Sequence, residues 1–398
     1  MRLILLTLLT LVANFGWCDS SGWPGVVNQR FSAGSRQFIL KHPHAMQLKF
    51  LLPMQQPRMI HKTRNGILLI GSRSGWVYRV APPYAKAQPL IHLDDYPHSA
   101  VYRNGYLYIA QTDGVYRMPY QLEAARLDAG QLHKLISLPG GAGHNSRSLE
   151  LGPDGRLYLS LGIRGNCSDQ YLGSEYGFQD QRGGLLVLDE SRSQLRWQVV
   201  ASGLRNPVGY DWNPVSGEIF ASNNGPDHHG YEQPPEYFAR LLPGSFHGMP
   251  WFQFDGKQLQ RDNCVSSKPP RPANEVSLPV ALFPARNAPM GVKFMPQDSY
   301  WSFLQNTALV ALHGSWATKI NGDRRTRRPP AIVAVTLDSE SRGKVMPLLT
   351  GLQNGAGERL ARPLDIEYTP EGDILFTSDG GQLEGLLCLC RNRDASVH

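Results

Sequence analysis

The sequence has no apolar run long enough to cross a bilayer. Its most apolar stretch, Leu3 to Val12, falls well short of the roughly 20 residues a spanning helix requires, and no later segment is long and apolar enough. Nucleotide-binding signatures are missing too. There is no Gly-x-x-x-x-Gly-Lys phosphate loop, and Gly141-Ala142-Gly143 is followed by Ser146 where the dinucleotide fingerprint needs a third glycine-like position. Charge of one sign is not concentrated: 40 Lys and Arg against 33 Asp and Glu give a net +7, dispersed except at Arg324, Arg325, Arg327 and Arg328. No aromatic residue is interleaved with that run, so it reads as a solvated loop, and no nucleic-acid partner is expected. A diffuse positive field also suits an anionic cofactor.

Cysteine is scarce, with five in 398 residues. The layout Met1, Arg2, an apolar run and a polar stretch from about Asp19 is that of a secretory signal over residues 1–18. Trp17 before Cys18 argues against a lipoprotein box. The mature chain, 19–398, is expected to be exported, periplasmic or secreted, without a stable membrane span. Four cysteines remain, Cys167, Cys264, Cys388 and Cys390, and allow three pairings. A Cys167–Cys264 bridge is conceivable in an oxidising compartment. Cys388 and Cys390 sit two apart on one face of a predicted strand and read as small buried side chains in preference to a metal site.

What the chain does have is turn formers: 40 Gly and 30 Pro, scattered along its length, suit many short strands joined by tight turns. A Gly turn followed by alternating apolar residues recurs at Asn65-Gly66-Ile67-Leu68-Leu69-Ile70, Asn104-Gly105-Tyr106-Leu107-Tyr108-Ile109 and Asp154-Gly155-Arg156-Leu157-Tyr158-Leu159. It returns at Ser216-Gly217-Glu218-Ile219-Phe220 and Glu371-Gly372-Asp373-Ile374-Leu375-Phe376, with a less regular copy around Thr307 to Ala311. Second strands follow at Gly75 to Val80, Gly114 to Met118 and Gly183 to Leu188. This texture predicts an all-β fold: a single six-bladed β-propeller of four-stranded antiparallel blades, with long loops over one face. The longest insertion runs from Asn224 to Pro284. A β-sandwich is disfavoured because the phrases span nearly the whole chain.

Polar residues gather in the loops beside these phrases. They are Gly143-His144-Asn145-Ser146-Arg147-Ser148-Leu149, Gly203-Leu204-Arg205-Asn206-Pro207, Asn224-Gly225-Pro226-Asp227, His313-Gly314-Ser315-Trp316 and Ala361-Arg362-Pro363-Leu364-Asp365. In this ordered set, from roughly Gln47 to Arg391, the sequence resembles the soluble quinoprotein glucose and sorbosone dehydrogenases, and is closer to the sorbosone-type branch.

The resemblance implies oxidation of a sugar, polyol or sugar-derived aldehyde by hydride transfer to pyrroloquinoline quinone, with calcium polarising the quinone and an external electron acceptor to reoxidise it. His144 matches the general base. Arg205 matches the arginine over the quinone, Asn206 its neighbouring amide, and Arg362 a cofactor-carboxylate contact; Lys319 is a further cofactor candidate whose register after Trp316 is hard to fix. Gly225 and Pro226 would offer carbonyls to calcium, a hard cation that prefers oxygen ligands. Asp227 and Glu236 would hold the same ion or a second one. His98 is expected to touch substrate, as is His313 with Trp316, unless Trp316 is blade core. His228-His229 resembles a metal pair, but adjacent residues point apart on an extended chain, which favours a surface loop.

Two departures stand out. Gly143 replaces an acid that orients the base in glucose-type members, so water or another loop must do that work. Ala285-Arg286-Asn287-Ala288-Pro289-Met290-Gly291 keeps the family's Ala-Pro core but puts Arg286-Asn287 in place of its usual polar pair, which alters one wall of the pocket. Two rivals remain: a calcium-dependent lactonase propeller, for which Asn145, Asn206, Asn224 and Asp365 would be the metal ligands, and a non-catalytic binding propeller.

Overall fold

The computed structural model describes residues 23–392, so the expected signal segment and Cys18 lie outside the described residues. Six four-stranded antiparallel sheets, one of them extended by a fifth strand, follow one another along the chain. In chain order, the first blade is Pro57–Lys62, Leu68–Ser72, Trp76–Val80 and Ala87–His92; the second is Ser99–Arg103, Tyr106–Gln111, Gly114–Pro119 and His133–Ser137. The third is Leu149–Leu151, Leu157–Leu161, Gly184–Asp189 and Arg196–Ser202; the fourth is Tyr210–Trp212, Ile219–Asn223, Glu236–Leu241 and Ala281–Phe283. The fifth is Pro289–Phe294, Ala308–Leu312, Ala331–Leu337 and Gly343–Leu349. The sixth takes Ala361–Tyr368, Ile374–Gly381 and Gly385–Arg391 from the end of the chain and Met46–Pro53 from its beginning, which closes the ring.

Each repeated phrase of the sequence is the first hairpin of a blade and its second strand. These second strands are buried on both faces because neighbouring blades cover them: Leu68–Ser72 and Ala308–Leu312 are buried at every position. Leu69 and Val77 of the first blade meet Leu107 and Ile109 of the second; Phe220 and Phe238 of the fourth meet Val310 and Val333 of the fifth. Each such aliphatic side chain contributes about 1.5–3 kcal/mol on burial. Polar ties also run between blades. Asp365 Oδ2 accepts the Ile60 N–H at 2.7 Å, Asp211 Oδ2 accepts the Phe294 N–H at 2.7 Å, and Ser99 Oγ accepts the Leu149 N–H at 2.8 Å. Burial raises Asp365 to about 8 and Asp211 to about 6.

Alternating strand direction sorts the loops by face. Hairpins between first and second strands lie at one end; loops between second and third strands, and connections from one blade to the next, lie at the other. Every site loop named from the sequence is of the second kind, so the topology itself gathers them. The Asn224 to Pro284 insertion splits into a loop before Glu236 and an excursion after Leu241. The excursion contains the hairpin Phe252–Phe254 with Leu259–Arg261 and a satellite core of Tyr171, Phe246, Trp251, Phe252 and Val265. A Cys167–Cys264 disulfide ties it to the third blade's loop. Cys388 and Cys390 are buried, as expected, and are also joined to each other.

Candidate active site

The gathered loops enclose a cavity of about 1330 Å³. His144, Arg205, Asn206, Gly225, Asp227, Glu236, His313, Trp316 and Arg362 all line it, although the chain spreads them from the connection before the third blade to the sixth blade. Nine arginines line it against four carboxylates, which selects for an anionic occupant.

His144 lies on the connection between the second and third blades. Its Nδ1–H donates to the Ile163 carbonyl at 2.5 Å, which leaves Nε2 as the ring's acceptor. Burial, then the charge of Arg205, depresses its pKa to about 4, so the ring is neutral at pH 7. The work left open by Gly143 therefore falls to another loop. Gly143 has φ +98°, and a Cβ there would lie 2.0 Å from the Arg164 carbonyl oxygen, so no side chain fits beside this imidazole.

Arg205 is buried and fixed on two sides. Its Nε and Nη2 donate to Asn166 Oδ1 at 3.0 and 2.8 Å, and Nη2 donates to Asp227 Oδ2 at 2.8 Å. Asn166 precedes the disulfide at Cys167, which anchors this support. Asn206 donates its backbone N–H to Asn223 Oδ1 at 3.1 Å. On the opposite wall Arg362 Nη2 donates to His313 Nδ1 at 2.8 Å. The His313 proton must therefore sit on Nε2, which donates to Asp379 Oδ1 at 2.5 Å. Burial depresses His313 to about 4 in spite of Asp379, making it a neutral link between two charges and no base toward the cavity. The same carboxylate holds Arg58 at 2.5 Å. Burial lowers Arg362 to about 10, still a cation at neutral pH. Its guanidinium lies 4.1 Å from the ring centroid of Trp316, which is 71% exposed and lies over the cavity instead of in a blade.

Two expected contacts fall elsewhere. His98 is fully buried and does not line the cavity. It sits at the mouth of an inner strand against the Tyr96 ring, where the first blade crowds its backbone: a Cβ on Gly71 would be 2.4 Å from the His98 carbonyl oxygen. Lys319 is largely exposed and pairs with Glu232 at 3.0 Å outside the lining. Arg324 and Arg327, from the run that reads as a solvated loop, line the cavity in its stead. His228 and His229 lie in an exposed loop, as expected, but their rings do not point apart. Residues 228–229 form a turn and not an extended segment, so both rings converge on Asp262 Oδ2, at 2.9 and 3.0 Å.

Of the acceptors expected to hold calcium, the Pro226 carbonyl and the Asp227 carboxylate are engaged by arginines. Arg286 donates from Nη1 to the Pro226 carbonyl and, at 3.2 Å, to Asp227 Oδ1; Nε donates to Gly230 O at 2.8 Å and Nη2 to Gln233 O. Glu236 is 3% exposed, and burial raises it to about 8 despite Arg286 and Arg205, so at neutral pH it is largely protonated. With the Pro226 carbonyl and both Asp227 carboxylate oxygens already bound by arginines, this set does not fit a calcium ion. The lactonase set is dispersed as well: Asn206 and Asn224 line the cavity, but Asn145 and Asp365 do not.

Arg58, Arg73, Arg359 and Asp379 were missed by sequence reasoning. The dense arginine run signalled only Arg324 and Arg327, and the Trp316 ring that Arg327 meets is too far along the chain to show as interleaving.

A family model described as Glucose / Sorbosone dehydrogenase matches residues 103–333. An uncharacterised protein of Borreliella burgdorferi is 25% identical over 360 residues, covering 86% of this chain and 89% of that protein. A calcium structure of a family AA12 carbohydrate-active enzyme from Trichoderma reesei is similar with a TM-score of 0.72 at 16% identity, covering 88% of this chain and 96% of that one. The holo PQQ domain of pyranose dehydrogenase from Coprinopsis cinerea matches with a TM-score of 0.68 at 18% identity, covering 89% and 97%. At these identities the two structures establish likeness of fold.

Proposed function

Because the chain belongs to the glucose/sorbosone dehydrogenase family, we propose that it is a quinoprotein that oxidises a sugar, or a sugar-derived alcohol or aldehyde, with pyrroloquinoline quinone as its electron acceptor. One observation carries this reading: a neutral histidine with its Nδ1 already engaged shares a cavity with nine arginines. When bound, the quinone supplies an electrophilic carbonyl carbon that accepts hydride, and it carries three carboxylates that suit this wall. The fold shared with the PQQ domain of pyranose dehydrogenase supports the same cofactor here.

His144 Nε2 takes the hydroxyl proton of the substrate as the carbon-bound hydrogen leaves with its electron pair, giving the carbonyl product. Neutrality at pH 7 keeps that nitrogen free to accept. Arg205, held by Asn166 and Asp227, stabilises negative charge developing opposite the base without having to reorganise. Arg362, Arg324 and Arg327 hold carboxylates, and the exposed Trp316 ring offers the C–H face of a sugar an apolar surface. Export, as read from residues 1–18, together with the Cys167–Cys264 bridge suits an oxidising compartment.

The test is to add the quinone to the apo chain and follow dye reduction over aldoses, sorbosone and polyols, with His144→Gln alongside. Quinone-dependent turnover lost in the variant supports the reading. Binding without turnover on any substrate would favour a binding protein, and absence of quinone binding would overturn the assignment in favour of lactone hydrolysis.

A further inference from the structure

The Gly225 to Glu236 loop has the shape of a cation cradle, and the chain already puts a cation in it. The Arg286 guanidinium has five N–H donors. The Pro226, Gly230 and Gln233 carbonyls and Asp227 Oδ1 take four of them, leaving one Nη2–H for an occupant of the cavity that Arg286 lines. Arg286 is only 5% exposed and has φ +69°, a backbone conformation that a non-glycine residue adopts only when its surroundings enforce it. Glu236 Oε2 is buried beside it with no hydrogen-bond partner. Arg205 completes the set from the other side, bound to the same Asp227 carboxylate.

We infer that Arg286 takes the place of a divalent ion in this cradle, so that the site binds an anionic quinone with a built-in guanidinium and without calcium. The inference rests on the quinoprotein reading for its ligand but not for its geometry. A guanidinium in a carbonyl cradle supplies fixed positive charge and a directed hydrogen bond. It cannot be removed by chelation, and it occupies the Pro226 carbonyl and Asp227 Oδ1 that a divalent ion would need.

Calcium and quinone are therefore tested separately. Apo protein is melted in EDTA and in 10 mM calcium chloride; pyrroloquinoline quinone is then titrated in both buffers, following tryptophan fluorescence. No calcium-dependent change in melting temperature is expected for the wild type, and quinone dissociation constants should agree within about twofold. Arg286→Gln opens the cradle while leaving its oxygens in place. In that variant calcium should raise the melting temperature by about 3–5 °C, the shift for a site filled at about 100 times its Kd. Its quinone binding should weaken at least tenfold in EDTA and recover with calcium.

A wild-type melting temperature that rises by that amount with calcium overturns the inference. So does wild-type quinone binding that chelator weakens tenfold and calcium restores, or a folded Arg286→Gln protein indifferent to calcium in both measurements. If Arg286→Gln does not fold, the wild-type measurements decide. A wild type that binds no quinone in either buffer removes the proposed function, while the calcium melts still report on the cradle.

Discussion

Replacing His144 by Gln tests the base through stability as well as rate. The imidazole has a pKa of about 4 in the fold against 6.5 for the free side chain, because burial and Arg205 oppose its charged form. The unfolded chain therefore binds the proton more readily. Stability from this residue is fully present above pH 6.5 and is lost as pH falls through 4. Between pH 7 and pH 5 the loss is about 2 kcal/mol, from the ratio of proton binding in the two states. For a chain of this size that is about 2–3 °C in melting temperature. His247 and His313, also depressed to about 4, contribute the same pH trend to wild type and variant and cancel in the comparison. Melting curves at pH 7 and pH 5 should thus converge by about 2–3 °C more in His144→Gln than in wild type. In the reconstituted enzyme, wild-type rates should stay level from pH 8 to about pH 5 and fall toward pH 4, while His144→Gln loses about 10²–10⁴ in kcat. A wild-type rate that titrates near 6.5, or a variant whose melting temperature falls with pH as steeply as the wild type's, would refute the reasoning.

Other perturbations probe neighbouring supports. Gly143→Ala places a methyl group 2.0 Å from the Arg164 carbonyl oxygen at a positive φ, so it should cost at least about 1–2 kcal/mol in urea unfolding and lower kcat by displacing Ile163. Trp316→Ala, at a position 71% exposed, should change the melting temperature by no more than about 1 °C and raise the KM for sugar about tenfold. Cys264→Ser opens a bridge between residues 97 apart and should cost about 2–4 kcal/mol, read from denaturant midpoints, together with weaker quinone binding as Asn166 loosens from Arg205.

The architecture was legible because strand hairpins are local. Asn104-Gly105 turns into Tyr106–Gln111 through neighbouring residues alone, and the same phrase recurs at each blade. Pro and Gly punctuation marked the loops that carry His144, Arg205 and Trp316. The closing strand Met46–Pro53 left no such mark, since its partner Gly385–Arg391 is more than 330 residues away.

By itself, the sequence determined the count of blades, the all-β class and most of the loops that line the cavity, because alternating burial and turn chemistry act over a few residues. Only the tertiary structure decided what those loops do to one another. It gave His144 the Ile163 carbonyl in place of an acid at Gly143, turned His228 and His229 onto Asp262, buried His98 and sent Lys319 out to Glu232. It also seated Arg286 among carbonyls five dozen residues upstream. Hydrogen bonds across such distances depend on where blades bring backbones together, and no local pattern encodes that.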